Sequence, residues 1–358
     1  MGAGFSPLQD RLKPVLTFSI TLQPMRAVQI VAPNQPLAAA SLPSLPPGAG
    51  EVTVEIAACG ICPSDAHYRS GFGDVAMPRT PGHEVAGVVR AIGEGVSSVN
   101  VGDRVAVHYL RTCRECRSCT QSGEQFCESG EMIGKHRDGG YAEFLNIPDR
   151  NAVPVPANVP LEIAALMMCS TATAFHALRV ARMQPGETVA LLGFGGLGVS
   201  GLELAKALGA KRVAVVDVVP EKRAFAESRG AEAFADAGEL RDVDVAIDFT
   251  GRAAVATAGL RALRPGGRLM VVALSEEPIS LNPYRDLVAK ERSIVGCSDH
   301  LRSELVELLE MASTGRLDLR HAISRRVALD ANEINEVLDT LDRGTSALRT
   351  VITRSLDS

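Results

Sequence analysis

Hydrophobic residues between positions 25 and 156 occur in short runs that glycine and proline separate. The main runs are MRAVQIV, EVTVEIAACG, HEVAGVVRAIG and GDRVAVHYL. Regular turn residues without a long helical pattern are typical of antiparallel strands. This part of the chain is therefore predicted to form a largely β domain.

From about Ser170 the pattern changes to strand runs that alternate with Ala- and Leu-rich helical segments. The strand runs are TVALLG, RVAVVDV, VDVAIDFTG and GRLMVVAL, and after about Gly296 come the helical segment SELVELLEMAST and a mixed pattern ending in ALRTVIT. Such alternation predicts a doubly wound parallel sheet. We expect an α/β protein in which a β-rich domain of residues 25–170 is interrupted by a dinucleotide-binding domain of residues 171–296. Residues 297–358 would complete the first domain.

Composition excludes several classes of partner. The 358 residues carry a net charge of −5, with 46% hydrophobic and 22% charged residues, which gives no electrostatic footprint for nucleic acid. We expect no run long enough to span a bilayer and no membrane partner. Arg11 and Lys13 precede a short apolar stretch without a small-residue cleavage site, so residues 1–24 are predicted to be an unstructured extension.

Four cysteines lie close together in the segment RTCRECRSCTQSGEQFC: Cys113, Cys116, Cys119 and Cys127. Four thiolates can close a tetrahedral shell around Zn²⁺, and this polar segment has no aliphatic residues with which to build a core of its own. The spacing suits one metal better than two disulfides. With thiols reserved for metal, we expect a reducing, cytoplasmic location.

A strand, a glycine-rich turn and a helix follow one another after residue 187. The apolar run 188–192 leads into Gly193-Phe194-Gly195-Gly196-Leu197-Gly198, and the helical pattern VSGLELAKALGA follows. This context is the one that a dinucleotide fingerprint requires, and the helix N-terminus favours a phosphate. Asp217, at the end of the next strand, would bind the adenosine ribose, so NAD is favoured over NADP.

Three further segments offer metal-ligating side chains: Cys59, Cys62, Asp65 and His67; His83 and Glu84; and Cys169. A catalytic zinc needs three protein ligands and one open position. The residues by themselves do not choose between Cys59 and Cys62.

The sequence resembles the zinc-dependent medium-chain alcohol dehydrogenases. The resemblance is carried by GxGGxG, the four-cysteine segment and GHEVAGVVRAIG, in which Gly82, His83, Glu84, Gly87 and Gly93 match the GHE-x2-G-x5-G signature of that family. It extends from about Met25 to Ile352. The resemblance implies a GroES-like catalytic domain, a Rossmann domain, NAD, and two zinc ions per chain, one catalytic and one structural.

Carried over to this sequence, the resemblance assigns catalytic zinc to Cys62, His83 and Cys169, and structural zinc to the four clustered cysteines. Asp65 would orient the zinc-bound histidine, and Glu84 would assist ligand exchange. Ser64 and His67 would relay a proton, Thr173 and Leu197 would flank the nicotinamide, and Tyr109 would line the substrate pocket. The remaining cofactor contacts that the resemblance implies are Lys222 at the ribose, Arg349 at the pyrophosphate, and the backbone of Val272, Cys297 and Asp299 at the carboxamide.

Pro63 departs from the family pattern. Well-known members carry a basic residue there that touches the cofactor phosphate, and proline cannot make that contact. We expect weaker cofactor binding, with more of the phosphate charge carried by Arg349.

The implied activity is the reversible oxidation of an alcohol to an aldehyde or ketone, through an alkoxide that zinc stabilises and hydride transfer to the nicotinamide. Primary alcohols, secondary alcohols and polyols all remain open. The alternatives are a polyol or amino-alcohol dehydrogenase and, more distantly, a non-catalytic NAD- and zinc-binding protein. The interval from Cys127 to Cys169 is short and lacks a long loop that some dimeric members carry, so the resemblance implies a homotetramer, with a dimer as the alternative.

Overall fold

The computed structural model describes residues 24–343 and 348–355. Apart from Pro24, which begins the first strand, the predicted N-terminal extension lies outside the described residues. The strands are β1 (Pro24–Gln29), β2 (Ala38–Pro43), β3 (Glu51–Ile61), β4 (Glu84–Ile92), β5 (Arg104–Val107), β6 (Leu110–Arg111), β7 (Glu131–Met132), β8 (Phe144–Pro148), β9 (Ala152–Pro154), β10 (Thr188–Leu192), β11 (Arg212–Val216), β12 (Glu232–Phe234), β13 (Val243–Asp248), β14 (Leu263–Val271), β15 (Ser293–Gly296), β16 (Ile323–Val327) and β17 (Arg349–Thr353). The α-helices are α1 (Pro63–Arg69), α2 (Arg117–Thr120), α3 (Leu161–Leu166), α4 (Ala172–Val180), α5 (Gly196–Ala207), α6 (Pro220–Ser228), α7 (Ala253–Ala262), α8 (Arg302–Ser313) and α9 (Ala331–Asp342).

The first sheet joins the two ends of the chain. Its strand order is β16-β17-β3-β4-β5-β9, with β8 also paired to β3. The C-terminal strand β17 lies antiparallel to β3, with Ile352 opposite Cys59. The run ALRTVIT thus completes a sheet whose other strands come mainly from residues 51–154.

The second sheet is parallel throughout, in the order β12-β11-β10-β13-β14-β15. The β13 strand is buried along its whole length, as expected for a strand that helices cover on both faces. The prediction of a β-rich domain with a doubly wound parallel sheet is confirmed, and the alternating strand and helix runs lie where their pattern placed them. The exact domain boundaries stay a prediction.

A helical segment links the two sheets. Helices α3 and α4 are joined by a π-helical turn, Met167–Thr171, and side chains from all three parts belong to one core cluster together with the β10 and α8 side chains. This segment was not expected: residues 161–180 are long and apolar enough to cross a membrane, contrary to the prediction that no such run exists. However, 78% of its most apolar window is buried inside the fold, so the hydrophobicity is that of a core helix.

His108, which follows β5, gives the stability of this fold a pH dependence. Burial lowers the pKa of His108 to about 3, whereas a histidine in an unfolded chain titrates near 6.5. Below about pH 6.5 the unfolded chain therefore binds a proton that the folded chain does not. Stability should fall as the pH drops, by roughly 1.4 kcal/mol per pH unit from this group.

We expect His108→Gln to reduce this acid sensitivity. Urea unfolding of both proteins at pH 7.5 and pH 5.0 should show that the wild type loses about 2 kcal/mol more between the two pH values than the variant. An identical loss in both proteins would contradict the assignment to His108.

Candidate active site

Four side chains of metal-ligating types lie close together beside α1, β4 and the π-helical turn. Cys62 immediately precedes α1, His83 and Glu84 lie at the start of β4, and Cys169 lies in the π-helical turn. Their ligand atoms all lie within 4.8 Å of one another. Cys59 is fully buried in β3 but is not part of this group, so the structure brings Cys62, and not Cys59, together with His83 and Cys169.

Asp65 holds two of these side chains in place. Its Oδ2 accepts hydrogen bonds from the Cys62 backbone N–H and from the Tyr141 hydroxyl, both at 2.9 Å. Its Oδ1 accepts from the Gly82 N–H at 3.2 Å and lies 3.5 Å from Nδ1 of His83. Tyr141 was not found by sequence reasoning, because no local pattern connects it with a residue 76 positions away.

The charges at this site are paired or shifted by burial. A hydrogen bond with Cys169 holds the pKa of the Cys62 thiol well below its usual value, with His83 contributing. Burial raises the pKa of the Glu84 carboxyl to about 7, although Arg349 opposes this shift. Arg349 is itself buried and donates to Glu84 Oε2. The site therefore favours a thiolate at Cys62, while Arg349 and Glu84 pair with each other.

The residues present fit a metal. Nε2 of His83 is buried and, within the described ranges, has no hydrogen-bond partner. Such an unsatisfied buried nitrogen is costly unless another group binds it. Because Asp65 lies next to Nδ1 of His83, Nε2 is the nitrogen that can bind a metal. A carboxylate commonly orients a metal-binding histidine in this way. Two cysteines and one histidine are the ligand types of a catalytic zinc site.

The two predicted relay residues lie on α1, next to this cluster. The Ser64 oxygen is 3.7 Å from Sγ of Cys62. His67 is exposed, with its ring edge-on to Phe72 at a centroid distance of 5.9 Å. The two side chains lie three residues apart, which places them on one face of the helix.

The glycine-rich turn has the shape that a dinucleotide needs. Gly193 has φ +97°, which a residue with a side chain rarely adopts. A Cβ at Gly198 would lie 2.4 Å from the Gly193 carbonyl oxygen, whereas one at Gly195 would meet nothing within 4 Å. The turn thus packs tightly on the helix side and leaves open space on the other side, where a pyrophosphate could approach.

Asp217 fastens this turn. Its Oδ2 accepts from the Phe194 N–H at 2.8 Å and its Oδ1 accepts from the Val219 N–H at 2.9 Å. An arginine also lies here: Nη1 of Arg223 donates to the Asp217 carbonyl at 2.8 Å. Sequence reasoning overlooked Arg223, because it lies one helical turn into α6.

The other predicted cofactor residues are distributed along the carboxyl edge of the parallel sheet. Gly196 and Leu197 open α5, and Lys222 lies on α6. Val272 and Cys297 directly follow the paired strands β14 and β15, and the Cys297 N–H donates to the Val271 carbonyl. Thr173 is half-buried on α4, four residues after Cys169.

A small crevice borders the glycine-rich turn. It is lined by Pro63, Gly195, Gly196, Arg325 and Arg349, among others. A Cβ at Gly196 would lie 2.6 Å from the Arg349 side chain. Arg349 therefore lies between the glycine-rich turn and Glu84, where it can contribute to both.

The four clustered cysteines form a second candidate metal site away from the first. Sγ of Cys113 lies 3.6 Å from that of Cys127 and 3.9 Å from that of Cys119. A tetrahedral zinc with Zn–S bonds of about 2.3 Å requires sulfurs about 3.8 Å apart. Backbone N–H groups also point at these sulfurs: that of Cys116 lies 3.3 Å from Sγ of Cys113. The geometry fits one metal and not a disulfide, and all four thiols are free.

This four-cysteine segment contacts the start of α8. Oε1 of Glu124 accepts a hydrogen bond from the Arg302 N–H at 2.7 Å, and Arg302 also donates to the Arg150 carbonyl. Arg302 begins α8, three residues after Asp299. Only a short loop therefore separates the contact of this segment from Asp299, a predicted nicotinamide-binding residue.

Comparison with known proteins agrees with this geometry. Residues 48–157 match the alcohol dehydrogenase GroES-like domain, and residues 196–314 match the zinc-binding dehydrogenase family. An alcohol dehydrogenase of Geobacillus stearothermophilus is 34% identical over 309 residues, which cover 82% of this chain and 89% of that protein. The chain belongs to the zinc-dependent medium-chain alcohol dehydrogenase family. It is an oxidoreductase, as the sequence resemblance predicted.

Two further relatives of this dehydrogenase are informative. A probable mannitol dehydrogenase of Stylosanthes humilis is 30% identical over 322 residues, covering 85% of this chain and 89% of that protein. The crystal structure of an NAD-dependent alcohol dehydrogenase superposes with a TM-score of 0.84 at 27% identity, covering 92% of this chain and 100% of that chain. The family therefore includes proteins named for different alcohols on one common fold.

Proposed function

We propose that this dehydrogenase catalyses the zinc-dependent, NAD-linked and reversible oxidation of an alcohol to an aldehyde or ketone. The main support is the convergence of Cys62, His83 and Cys169 in one cluster with Glu84, whose partner Arg349 also lines the crevice at the glycine-rich turn. Metal ligands and a dinucleotide turn that share this arginine could place an alcohol carbon next to a nicotinamide. Holding the two reactants in line is the main task of such a site.

Each group has a separate role in this proposal. Zinc held by Cys62, His83 and Cys169 would supply a Lewis acid that lowers the pKa of the alcohol hydroxyl. Asp65 and Tyr141 keep His83 and the Cys62 backbone oriented for binding. Glu84 and Arg349 compensate each other's charge behind the ligands and would allow ligand exchange without leaving a buried charge unpaired.

The proton leaves along α1. Oγ of Ser64, 3.7 Å from Sγ of Cys62, would accept a hydrogen bond from the substrate hydroxyl and pass the proton on. His67 is exposed one helical turn further and can release it to solvent. Histidine suits the end of such a path because it exchanges protons near neutral pH.

The cofactor would lie along the carboxyl edge of the parallel sheet, its usual place in this kind of fold. The residues that would hold it are the glycines 193, 195, 196 and 198 with Leu197, Asp217, Lys222 and Arg349, and, around the nicotinamide, Thr173 and the backbone of Val272, Cys297 and Asp299. Tyr109 would line the substrate pocket, next to His83.

The remaining features belong to the same proposal. We infer two zinc ions per chain, the second bound by the four clustered cysteines as a structural ion. We also infer a homotetramer in the cytoplasm, with a catalytic domain of residues 25–170 and 297–358 and a Rossmann domain of residues 171–296. Small-molecule alcohols, aldehydes or ketones are the expected partners.

The proposed function is tested by NADH formation with purified, zinc-containing protein. The panel contains primary, secondary and aromatic alcohols and polyols, each with NAD⁺ and with NADP⁺. Turnover of one class with NAD⁺ supports the proposal. No turnover of any alcohol by protein that carries two zinc ions per chain would contradict it and favour a binding role.

Removing the carboxylate that orients the ligands should reduce activity without unfolding the protein. We expect Asp65→Asn to lower kcat/KM about 10- to 100-fold, because an amide NH₂ group cannot accept the hydrogen bonds that Asp65 now accepts. Tyr141→Phe removes only one of those bonds and should have a smaller effect. Equal activity of Asp65→Asn and wild type, at equal zinc content, would contradict this role.

Pro63 should weaken cofactor binding. It lines the crevice together with Gly195 and Gly196, and an arginine there could reach a phosphate. We expect Pro63→Arg to lower the NADH dissociation constant several-fold, measured by NADH fluorescence, with Pro63→Gln as the uncharged control. Unchanged affinity in Pro63→Arg would count against the proposed effect.

A further inference from the structure

Tyr109 lies directly against the metal-ligand cluster. Its ring is edge-on to that of His83 at a centroid distance of 5.5 Å, and it is only 2% exposed. On its other side the ring packs edge-on against His300 at 5.0 Å. A substrate whose oxygen binds beside His83 must therefore pass close to this ring.

The Tyr109 hydroxyl donates a hydrogen bond to Oδ1 of Asp299. A carboxylate offers only acceptor oxygens, so the hydroxyl is the donor in this bond. Asp299 lies in the loop between β15 and α8, at a left-handed φ of +53°, which aspartate tolerates better than most residues. The bond links residues 190 positions apart.

The Asp299 carboxylate also acts on Tyr68. Together with Asp65, Cys62 and Cys169, its charge contributes, after the main effect of burial, to raising the pKa of Tyr68. Asp299 therefore lies within electrostatic range of the side chains that surround the metal site. It is half-buried, so part of its surface still faces open space.

No side-chain cation of the described residues pairs with this carboxylate. In the parts of the chain that the structure describes, no lysine, arginine or histidine forms an ion pair with Asp299. The adjacent His300 is fully buried, and burial holds its pKa well below the usual value, so it is uncharged. A carboxylate has about four acceptor positions, and the hydrogen bond from Tyr109 uses only one of them.

We propose that Asp299, positioned by Tyr109, is a specificity-determining residue that binds a second hydrogen-bond donor of the substrate, a hydroxyl or an ammonium group. The dehydrogenase would then prefer polyols or amino alcohols to alcohols with a purely apolar chain. An apolar chain placed beside Asp299 would remove water from the carboxylate without replacing its hydrogen bonds, which disfavours such a substrate. This inference rests on the proposed alcohol oxidation and specifies its substrate class.

The test uses alcohols that differ only in the terminal group. The compounds 1-butanol, 1,3-propanediol and 3-amino-1-propanol carry a methyl, a hydroxyl and an ammonium group at the same position. The compounds 1-propanol, ethylene glycol and 2-aminoethanol form the same series with a chain one carbon shorter. In at least one series we expect kcat/KM of the wild type to favour a donor-bearing alcohol over the methyl compound by about tenfold or more.

Asp299→Asn keeps the size of the side chain, an acceptor oxygen and tolerance of the left-handed backbone, but it removes the charge. It should reduce the preference for the ammonium compound about tenfold or more, and that for the hydroxyl compound by less. The relative size of the two losses therefore distinguishes the two donors. Tyr109→Phe should lower the same preference a few-fold through loss of orientation. Asp242→Asn, at a left-handed φ of +56° before β13, is the matched control and should leave the preference unchanged.

A merely structural Tyr109–Asp299 contact predicts a different result. It would change NADH affinity, thermal stability or the kcat/KM of all substrates together, but not the ratio between matched alcohols. A wild type that prefers the methyl compounds, or a ratio that Asp299→Asn does not change, would overturn the inference. Absence of turnover with every alcohol would instead contradict the proposed function itself.

Discussion

Replacement of His83 by alanine is expected to lower kcat/KM for alcohol oxidation by about 10⁴-fold or more. His83 is fully buried, and its Nε2 has no hydrogen-bond partner among the described residues, so its side chain is available to a metal. Without His83, a zinc ion would retain only two protein ligands, Cys62 and Cys169. The Lewis acid that lowers the pKa of the alcohol would then be lost. A 10⁴-fold loss corresponds to about 5.5 kcal/mol of transition-state stabilisation. Turnover and zinc content are the measurements.

Cys59→Ala is the matched control for this experiment. Cys59 lies in β3, opposite Val85 of the adjacent strand β4. It is as buried as His83, but it does not belong to the ligand group. It should lose about 1–2 kcal/mol of stability while retaining zinc and activity. His83→Ala protein that binds NADH normally but has lost one zinc and its turnover would support the assignment. Wild-type turnover by His83→Ala, or by the corresponding Cys62→Ser and Cys169→Ser variants, would contradict it.

Loss of the second metal should mainly affect stability. We expect Cys116→Ser to lower Tm by on the order of 10 °C, because the segment 113–127 has no aliphatic core and would depend on four metal–sulfur bonds. Chelation of the wild type should produce a similar shift. Differential scanning calorimetry with metal analysis measures both effects, and the exposed neighbouring variant Glu115→Gln is the control.

The contact between Glu124 and Arg302 makes this prediction more specific. Disorder of the four-cysteine segment would remove a hydrogen bond at the start of α8, next to the loop that contains Asp299. Cys116→Ser should therefore increase the apparent KM for NAD⁺ or alcohol at temperatures where the protein is still folded, with a smaller effect on kcat. A wild-type Tm after complete loss of the second metal would contradict a structural role.

Much of the fold could be predicted from local pattern. Period-2 runs with turn residues predicted the β-rich part, and alternating strand and helix runs predicted the parallel sheet. Both signals are carried by neighbouring residues, and burial of one face depends directly on that spacing. The glycine-rich turn was recognisable for the same reason, since its strand, turn and helix are contiguous. The helical segment 161–180 was harder to identify, because an apolar run reads alike whether a protein core or a lipid bilayer surrounds it.

Sequence reasoning identified only those residues of the candidate site that belong to recognisable motifs. The family resemblance pointed to Cys62, His83 and Cys169, whereas the residues themselves left Cys59 as an equal alternative. Tyr141 and Arg223 have no distinctive neighbours in the sequence and were missed. Tyr109 was assigned to the pocket, but its partner could not be anticipated.

The amino-acid sequence by itself determined the strands and helices, the dinucleotide turn and the ligand-type residues, because hydrophobic periodicity and turn chemistry act between residues a few positions apart. Only the tertiary structure decided which side chains meet. Asp65 reaches Tyr141 across 76 residues, Tyr109 reaches Asp299 across 190, and Glu84 reaches Arg349 across 265. Each contact depends on how the two sheets and the helical segment that links them pack. A buried carboxylate or guanidinium needs a hydrogen-bond partner, and tertiary packing determines which residue is close enough to be that partner.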